Sequence, residues 1–408
     1  MMCLFGLCRY AICRIILLIG FLSTIGSSAY SQDESNNTFG KGIQLVASDS
    51  SFSMKFGLRF QSLYQGSLNV VTDKWNDQFL IRRARLKFEG FAYDPSLSYK
   101  VELGLSSRDI SGGDLDQHGN TSRIILDAVL KWQFRENWSL WAGQTKLPGN
   151  RERVISSQKM QFVDRSLLNS RFNIDRDIGI QLHHSSKIGN QAVFQQILSV
   201  SMGEGRDITT NNIGGYDYTL RLEYLPFGEF TGGGDYFGSD LKREKSPKLA
   251  IGVAFDYNDG AARQRGQLGA FVQGSNGNQL STDLSTLFID THFKYKGFSF
   301  MGEYANKQSS EQVFVVLDDF STLKYATGNA VNLQAGYLVD KSEWAIRYTQ
   351  VNSDDLAYSS LKEETQYTLG YSRYIVGHSL KLQSDLSYSD KALGDNLVTF
   401  RVQFEISF

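Results

Sequence analysis

The chain has 408 residues, with 42 Lys and Arg against 43 Asp and Glu and a formal net charge of −1. That balance removes any polybasic case for nucleic acid, and the length exceeds one ordinary small domain while suiting a single large barrel. Aromatic residues make up 13%, Gly is 38 and Pro only 4, a mixture that fits many strands joined by Gly-rich turns.

The chain opens with a secretory signal pattern. Arg9 and Arg14 supply the positive region, Ile15 to Ile25 is an apolar stretch short for a span, and Ala29-Tyr30-Ser31 fits the small-x-small cleavage pattern. This divides the chain into a signal peptide at 1–31 and one barrel domain at 32–408. Cys3, Cys8 and Cys13 all fall in the signal, so the mature chain is expected to hold no cysteine and no disulfide. Its charge becomes about −3 (42 − 2 = 40 basic residues against 43 acidic). Beyond the signal there is no apolar run of roughly 18 residues, which excludes a membrane helix.

The rest is a series of alternating segments. Met54, Phe56, Leu58 and Phe60 alternate with Lys55, Gly57, Arg59 and Gln61. IRRARLKFEG (Ile81–Gly90) follows, then Tyr99, Val101, Leu103 and Leu105 set against Lys100, Glu102, Gly104 and Ser106. The same pattern returns around Tyr216–Tyr224, Trp344–Tyr348 and Leu380–Tyr388, and the chain ends on VTFRVQFEISF. There Val398, Phe400, Val402, Phe404, Ile406 and Phe408 are apolar, and Thr399, Arg401, Gln403, Glu405 and Ser407 are polar. A period of two sends successive side chains to opposite faces of a strand. Sixteen such segments of ~9–12 residues, a length that crosses a bilayer at a tilt, predict a closed all-β antiparallel transmembrane barrel.

The connections alternate as well. Asp94–Ser96, Arg135–Asn137, Ser185–Asn190, Tyr295–Gly297, Asp340–Ser342 and Val376–Gly377 are short; Ser107–Ser122, Lys146–Arg176, Gly260–Ser285, Gln308–Gly328 and Ser353–Glu363 are long. That asymmetry is the layout of an outer-membrane barrel with both termini in the periplasm. Gly228–Lys248 breaks it, being long where a short turn is due: either a strand is miscounted or the turn is elaborated. The four prolines (Pro95, Pro148, Pro226, Pro247) are expected in turns and loops. Tyr64, Tyr93, Trp132, Trp138, Tyr257, Tyr295, Trp344, Tyr374 and Tyr388 near strand ends are expected to form interfacial girdles. A soluble β-sandwich is the structural rival.

If apolar faces look outward, parity names the lumen. Lys55, Arg59, Arg83, Arg85, Lys87, Lys100 and Arg401 come from the first three strands and the last, neighbours once the barrel closes, with Glu89, Glu102 and Glu405 among them. Basic residues outnumber acids over the whole inward face, Lys296 being counted with them. Arg83, Arg85 and Lys87 stack on one face roughly 7 Å apart. They form either a salt-bridged wall or a ladder guiding anions along an electrostatic field. A second basic group lies in the long third loop: Lys146, Arg151, Arg153, Lys159 and Arg165. That loop either folds inward as a constriction or stays on the surface.

Other chemistry is thinly represented. The histidines (His118, His183, His184, His292, His378) show no Ser-His-acid spacing, so no enzyme is expected. The acids of Gly112–Asn120 lack calcium-loop spacing, and no metal or cofactor is expected. A receptor barrel is the alternative that the long outer loops permit.

Three stretches resemble one family: FLIRRARLKFEG, then Trp138–Leu182 with GQTK opening the loop and RDIGIQL closing it, then Gly228–Tyr257. They resemble the phosphate-selective porin O and P family, and the likeness extends over essentially the whole mature chain. It implies a homotrimer of sixteen-stranded barrels in the bacterial outer membrane, each with an inward-folded third loop and an Arg- and Lys-lined lumen that conducts small anions, phosphate among them, passively. Arg83 and Arg85 match the wall motif; Arg151, Arg153 and Lys159 match the loop motif. The chain departs from strongly phosphate-selective members in the many acids of its lumen, which sets general anion preference apart from phosphate preference.

Overall fold

The computed structural model describes residues 38–110, 123–274, 277–317 and 322–408. The signal at 1–31 and the Gly112–Asn120 segment lie outside the described residues. Phe39 to Phe408 form one compact unit.

Sixteen of the described strands close into one antiparallel sheet: β1 (Ser53–Asn69), β2 (Lys74–Ala92), β3 (Asp94–Gly104), β4 (Ile125–Arg135), β5 (Trp138–Lys146), β6 (Arg176–Ile188), β7 (Ala192–Ser201), β8 (Asp217–Leu225), β9 (Lys248–Ala261), β10 (Thr282–Tyr295), β11 (Phe298–Ser309), β12 (Gly328–Val339), β13 (Ser342–Ser353), β14 (Glu364–Val376), β15 (Leu380–Lys391) and β16 (Leu397–Ser407). Each pairs with the next, and β16 returns to β1, with Leu397 opposite Asn69 and Ser407 opposite Arg59. Leu58 and Phe408 exchange backbone hydrogen bonds of 3.1 and 3.0 Å at the seam. Closure leaves no strand edge to be satisfied by lipid, which offers no hydrogen bonds.

Parity sorts the side chains. Trp344 and Ile346 are 57% and 62% exposed on the outside, while Glu343 and Arg347 beside them are buried inside. The apolar rows therefore face outward rather than pack on one another, which excludes the sandwich. Connections at one end are mostly long (105–124, 147–175, 202–216, 262–281, 310–327, 354–363) and at the other mostly tight.

Of the two alternatives at 228–248 the elaborated turn holds: β8 and β9 are directly paired, so no strand is miscounted between them, and the 226–247 connection enters the barrel. Other expectations are corrected. Pro95 lies inside β3, at its second residue, where the pairings to β2 and β4 leave it without a partner, so its missing N–H costs nothing. Tyr374 is no girdle residue: it shares the inward parity of Ser372, is 2% exposed and donates to Glu343 at 2.7 Å. Lys296 sits at the tip of the β10–β11 turn with φ 49° and is exposed, outside the lumen. A bulge in β2 between the Gln61–Arg83 and Ser62–Ile81 pairs turns Arg82 inward beside Arg83.

Candidate functional site

The lumen is built unevenly, because two connections occupy it. The first is 147–175. Its Arg151 is fully buried, 3.2 Å from Glu223 and 3.0 Å from Asp290, and Arg221 donates to the Gly149 carbonyl at 2.7 Å. Gln161 donates to Ser299 and Glu343, the Val163 amide to Asp385, and Lys381 to the Gln158 carbonyl at 2.8 Å. The short helix Leu167–Phe172, capped by Ser166 accepting from the Asn169 amide, sets Leu168 and Phe172 against inward Ala254, Phe288, Ala305, Ala330 and Val351. Gly336 and Gly370 make room: a Cβ there would lie 2.1 Å from Gln161 Nε2 and 2.8 Å from the Phe162 ring.

The second is 226–247, entering from the opposite end. Lys294 Nζ donates to the carbonyls of Gly234, Phe237 and Ser239 at 2.7–2.8 Å, and Ser239 donates to Glu343 at 2.5 Å. The two connections meet where the Gly238 amide donates to the Lys159 carbonyl at 2.8 Å and the Lys159 ammonium sits 3.7 Å over the Phe237 ring.

Most of the remaining space lies toward β1–β7. A cavity of about 800 Å³ is lined by Arg85, Lys100, Lys131, Lys146, Arg153, Arg165, Arg176 and Arg221, with Glu102, Asp127, Glu136 and Glu229 as its acids. A smaller one of about 230 Å³, lined by Lys55, Arg59, Lys87, Glu89 and Lys159, shares Arg85, Lys100, Glu102 and Ser156 with it. A third of about 620 Å³ at the long-connection end carries Arg171, Lys362, Lys391 and Arg401 against Glu364. Basic groups dominate all three.

The wall residues are largely compensated. Lys55 lies 3.6 Å and Lys87 2.5 Å from Glu89; Arg85 pairs with Glu102 and Asp109, both at 2.8 Å; Lys100 bridges Glu102 and Asp127. Arg59 pairs with Glu405, and Arg401 with Asp385 at 2.6 Å. In the loop Arg153 pairs with Asp175. Lys131, Lys146 and Arg165 differ: none makes an ion pair within 4.0 Å among the described residues. Lys146 donates to the Arg153, Val154 and Ile155 carbonyls, Arg165 to the Glu152 and Ile155 carbonyls, and Lys131 lies 3.6 Å over the Trp141 ring. All three line the cavity.

A junction forms where β1, β2, β16 and the 147–175 connection meet. Asp164 lies 2.8 Å from Arg82, 3.7 Å from Arg83 and 3.9 Å from Arg401, one carboxylate among three guanidiniums. Burial pushes its carboxyl up, but the three cations outweigh that and hold it well below the usual carboxylate range. Arg82 is the member that simple alternation misses. The signal was present: outward apolar parity is odd at Phe79 and Ile81 and even at Leu86 and Phe88.

A closed sixteen-stranded barrel with an apolar exterior and a basic, partly filled bore defines an outer-membrane channel. The chain belongs to the family "Phosphate-selective porin O and P", whose model matches residues 54–284, and its place is the bacterial outer membrane. A protein of Aquifex aeolicus (strain VF5), described only as uncharacterized, is 22% identical over 341 residues, 78% of this chain and 77% of its own. The anion-selective porin from Comamonas acidovorans is similar in structure, with a TM-score of 0.53 at 11% identity over 88% of this chain and 100% of that one. So is the trimer form of OmpT from Vibrio cholerae, with a TM-score of 0.52 at 11% identity over the same shares. At these identities the two structures speak for the fold alone.

Proposed function

We propose that the protein is a passive, non-enzymatic channel that favours small anions by the field of fixed positive charge, without tight capture. Lys131, Lys146 and Arg165 carry this reading, because among the described residues they are the lysines and arginines lining the 800 Å³ cavity that make no ion pair within 4.0 Å. Within ~8 Å, the Debye length at physiological salt, they raise the local anion concentration. The compensated ladder of Arg83, Arg85, Lys87 and Lys100 keeps the wall charged while offering few free donors. This arrangement supports general anion preference over selective phosphate binding. The 147–175 connection acts as the constriction, with Arg153, Lys159 and Arg165 on its open side and Arg151 as its anchor. Assembly as a homotrimer embedded in outer-membrane lipid is part of the same reading, and the OmpT structure of like fold is described as a trimer form.

A planar-bilayer recording under a KCl gradient tests this. Ohmic conductance with a reversal potential biased toward chloride is expected, and added phosphate should reduce the chloride current only weakly. A cation-biased reversal potential would refute the proposal, and strong phosphate block would refute its phosphate clause.

A further inference from the structure

The outside of the barrel carries two features that conduction leaves without a role, and both lie on the same strands. The first is a groove of about 620 Å³ in the outward face of β11–β16, a volume within the range of small-molecule pockets. Ala335 is the small side chain there, set between its row neighbours Phe300 and Ile346. Tyr348, Tyr367 and Tyr388 follow one another across the adjacent row and line the groove from that side.

The second is a group of cations at the tight-turn end of these strands, the periplasmic end in an outer-membrane barrel. Arg373 shares the outward parity of Leu369 and Tyr371, yet it is charged and exposed. It lies opposite Ser342 and donates to its Oγ at 2.9 Å; that Oγ is 3.1 Å from the Tyr371 hydroxyl. Lys341, one residue before Ser342, is exposed and donates to the Ile375 carbonyl at 3.3 Å. Arg243, from the 226–247 connection, donates to the Asp340 carbonyl at 3.1 Å. Its guanidinium also lies 3.0 Å from where a Cβ on Gly297 would stand, which places it beside the turn that holds Lys296. None of these four cations makes an ion pair within 4.0 Å among the described residues. Asp240, Glu244 and Glu343 are buried and accept from the Gly297 amide, Thr231 and Ser239. Asp340 is exposed and also unpaired.

The two features stand at the spacing of a lipid headgroup and its chain. Arg373 is four residues from Leu369, which shares the Ala335–Ile346 row, a distance of about 13 Å along the strand. Between them sit the outward Trp344 and Tyr371 rings, 4.9 Å apart, aromatics of the kind that settle at the membrane–water boundary. An arginine on a lipid-facing wall is costly unless its head reaches the interface and an anion there. A guanidinium beside two hydroxyls and an ammonium suits a phosphodiester, and an apolar groove suits hydrocarbon. Free phosphate would use the cations and leave the groove empty. One molecule that uses both is a phospholipid, and four cations facing Asp340 favour a headgroup with net negative charge. We propose that β11–β15 hold one anionic phospholipid, with its phosphate at Arg373, Ser342 and Lys341 and an acyl chain in the groove beside Ala335. Arg243 and Lys296 add positive field to the headgroup end. The site lies outside the bore and is independent of which ions the bore favours.

Native mass spectrometry of the folded channel, released from detergent containing phosphatidylglycerol or phosphatidylcholine, tests this. The wild type should retain phosphatidylglycerol about tenfold better than phosphatidylcholine. Arg373→Gln combined with Lys341→Gln should abolish that preference. Ala335→Phe, which fills the groove, should lower retention of both lipids several-fold and keep the preference. Inorganic phosphate should not displace the lipid. Equal retention of the two lipids by the wild type overturns the proposal, and so does an unchanged preference in the double variant. Displacement by inorganic phosphate assigns the cations to the free ion and overturns it. Loss of the oligomer in Ala335→Phe with lipid retention unchanged assigns this face to a second copy of the chain and also overturns it. Should a variant fail to fold, the wild-type comparison of the two lipids decides alone.

Discussion

The two sides of the barrel wall use one alternation for different ends. On β1–β3 the lysines meet water, the Lys55 and Lys87 side chains being 45% and 41% exposed and Lys100 23%, while Arg59 and Arg83 beside them are buried. On β8–β13, Arg221, Glu223, Asp290, Lys294, Glu303, Glu343 and Arg347 are all 3% exposed or less, held by two connections packed inside. Parity says which residues point inward; what else enters the lumen decides whether they meet solvent. On the proposed reading, the open side would serve conduction, and the filled side would be a scaffold for the constriction.

The largest expected effect lies on the filled side. Arg151→Ala leaves Glu223 and Asp290, both buried, with Arg221 as their remaining partner. Breaking a buried pair in this way costs about 3–5 kcal/mol. A clear fall in the urea midpoint is expected. Single-channel conductance should rise as residues 150–165 come away from the wall, with ion preference largely kept. An unchanged midpoint would show that the scaffold does not depend on this anchor.

On the open side the ranking reverses. Lys146→Ala combined with Arg165→Ala should lower the chloride-to-potassium permeability ratio several-fold, while stability drops by only about 1–2 kcal/mol, since backbone carbonyls alone lose donors. A ratio left at the wild-type value would place selectivity on the compensated wall instead.

The barrel was legible in the sequence because a lipid-facing sheet must alternate, and Trp344-Ala-Ile-Arg-Tyr348 shows it in five residues. The filled side was less legible, because alternation cannot separate a wet polar residue from one satisfied by a returning loop. A weaker signal does mark it: small inward residues at Ala254, Ala305, Ala330, Gly336 and Gly370 lie where the connection packs. A lumen facing only water has no need of them. Arg82 was missed because a bulge resets parity inside a strand, and Tyr374 because an aromatic ring at a strand end was given a girdle role that its parity denies. The pairing of each wall cation with its acid is set by register and rotamer together, which residue order alone does not contain.

A smaller effect sharpens the boundary between the two sides. Asp164→Asn leaves Arg82, Arg83 and Arg401 without their shared carboxylate. Anion preference should rise modestly at low salt. The rise should vanish near 1 M, where the Debye length is ~3 Å. Persistence of the difference at that salt would mean that the substitution reshaped the constriction rather than its field.

The smallest expected change concerns pH at the same carboxylate. Because three guanidiniums hold the Asp164 carboxyl well below the usual range, it keeps its charge while an ordinary aspartate, with a pKa near ~3.9, begins to protonate. A depressed pKa means the charge is present above that value and is lost only far below it. Acidification from pH 7 to about 4 should therefore leave the gap between wild type and Asp164→Asn unchanged. Any common drift in the two reversal potentials would come from other acids. If the two proteins converge by pH 4, Asp164 has taken up a proton there. The arginine cage would then be too weak to hold a permanent negative charge at the junction of the open and filled sides.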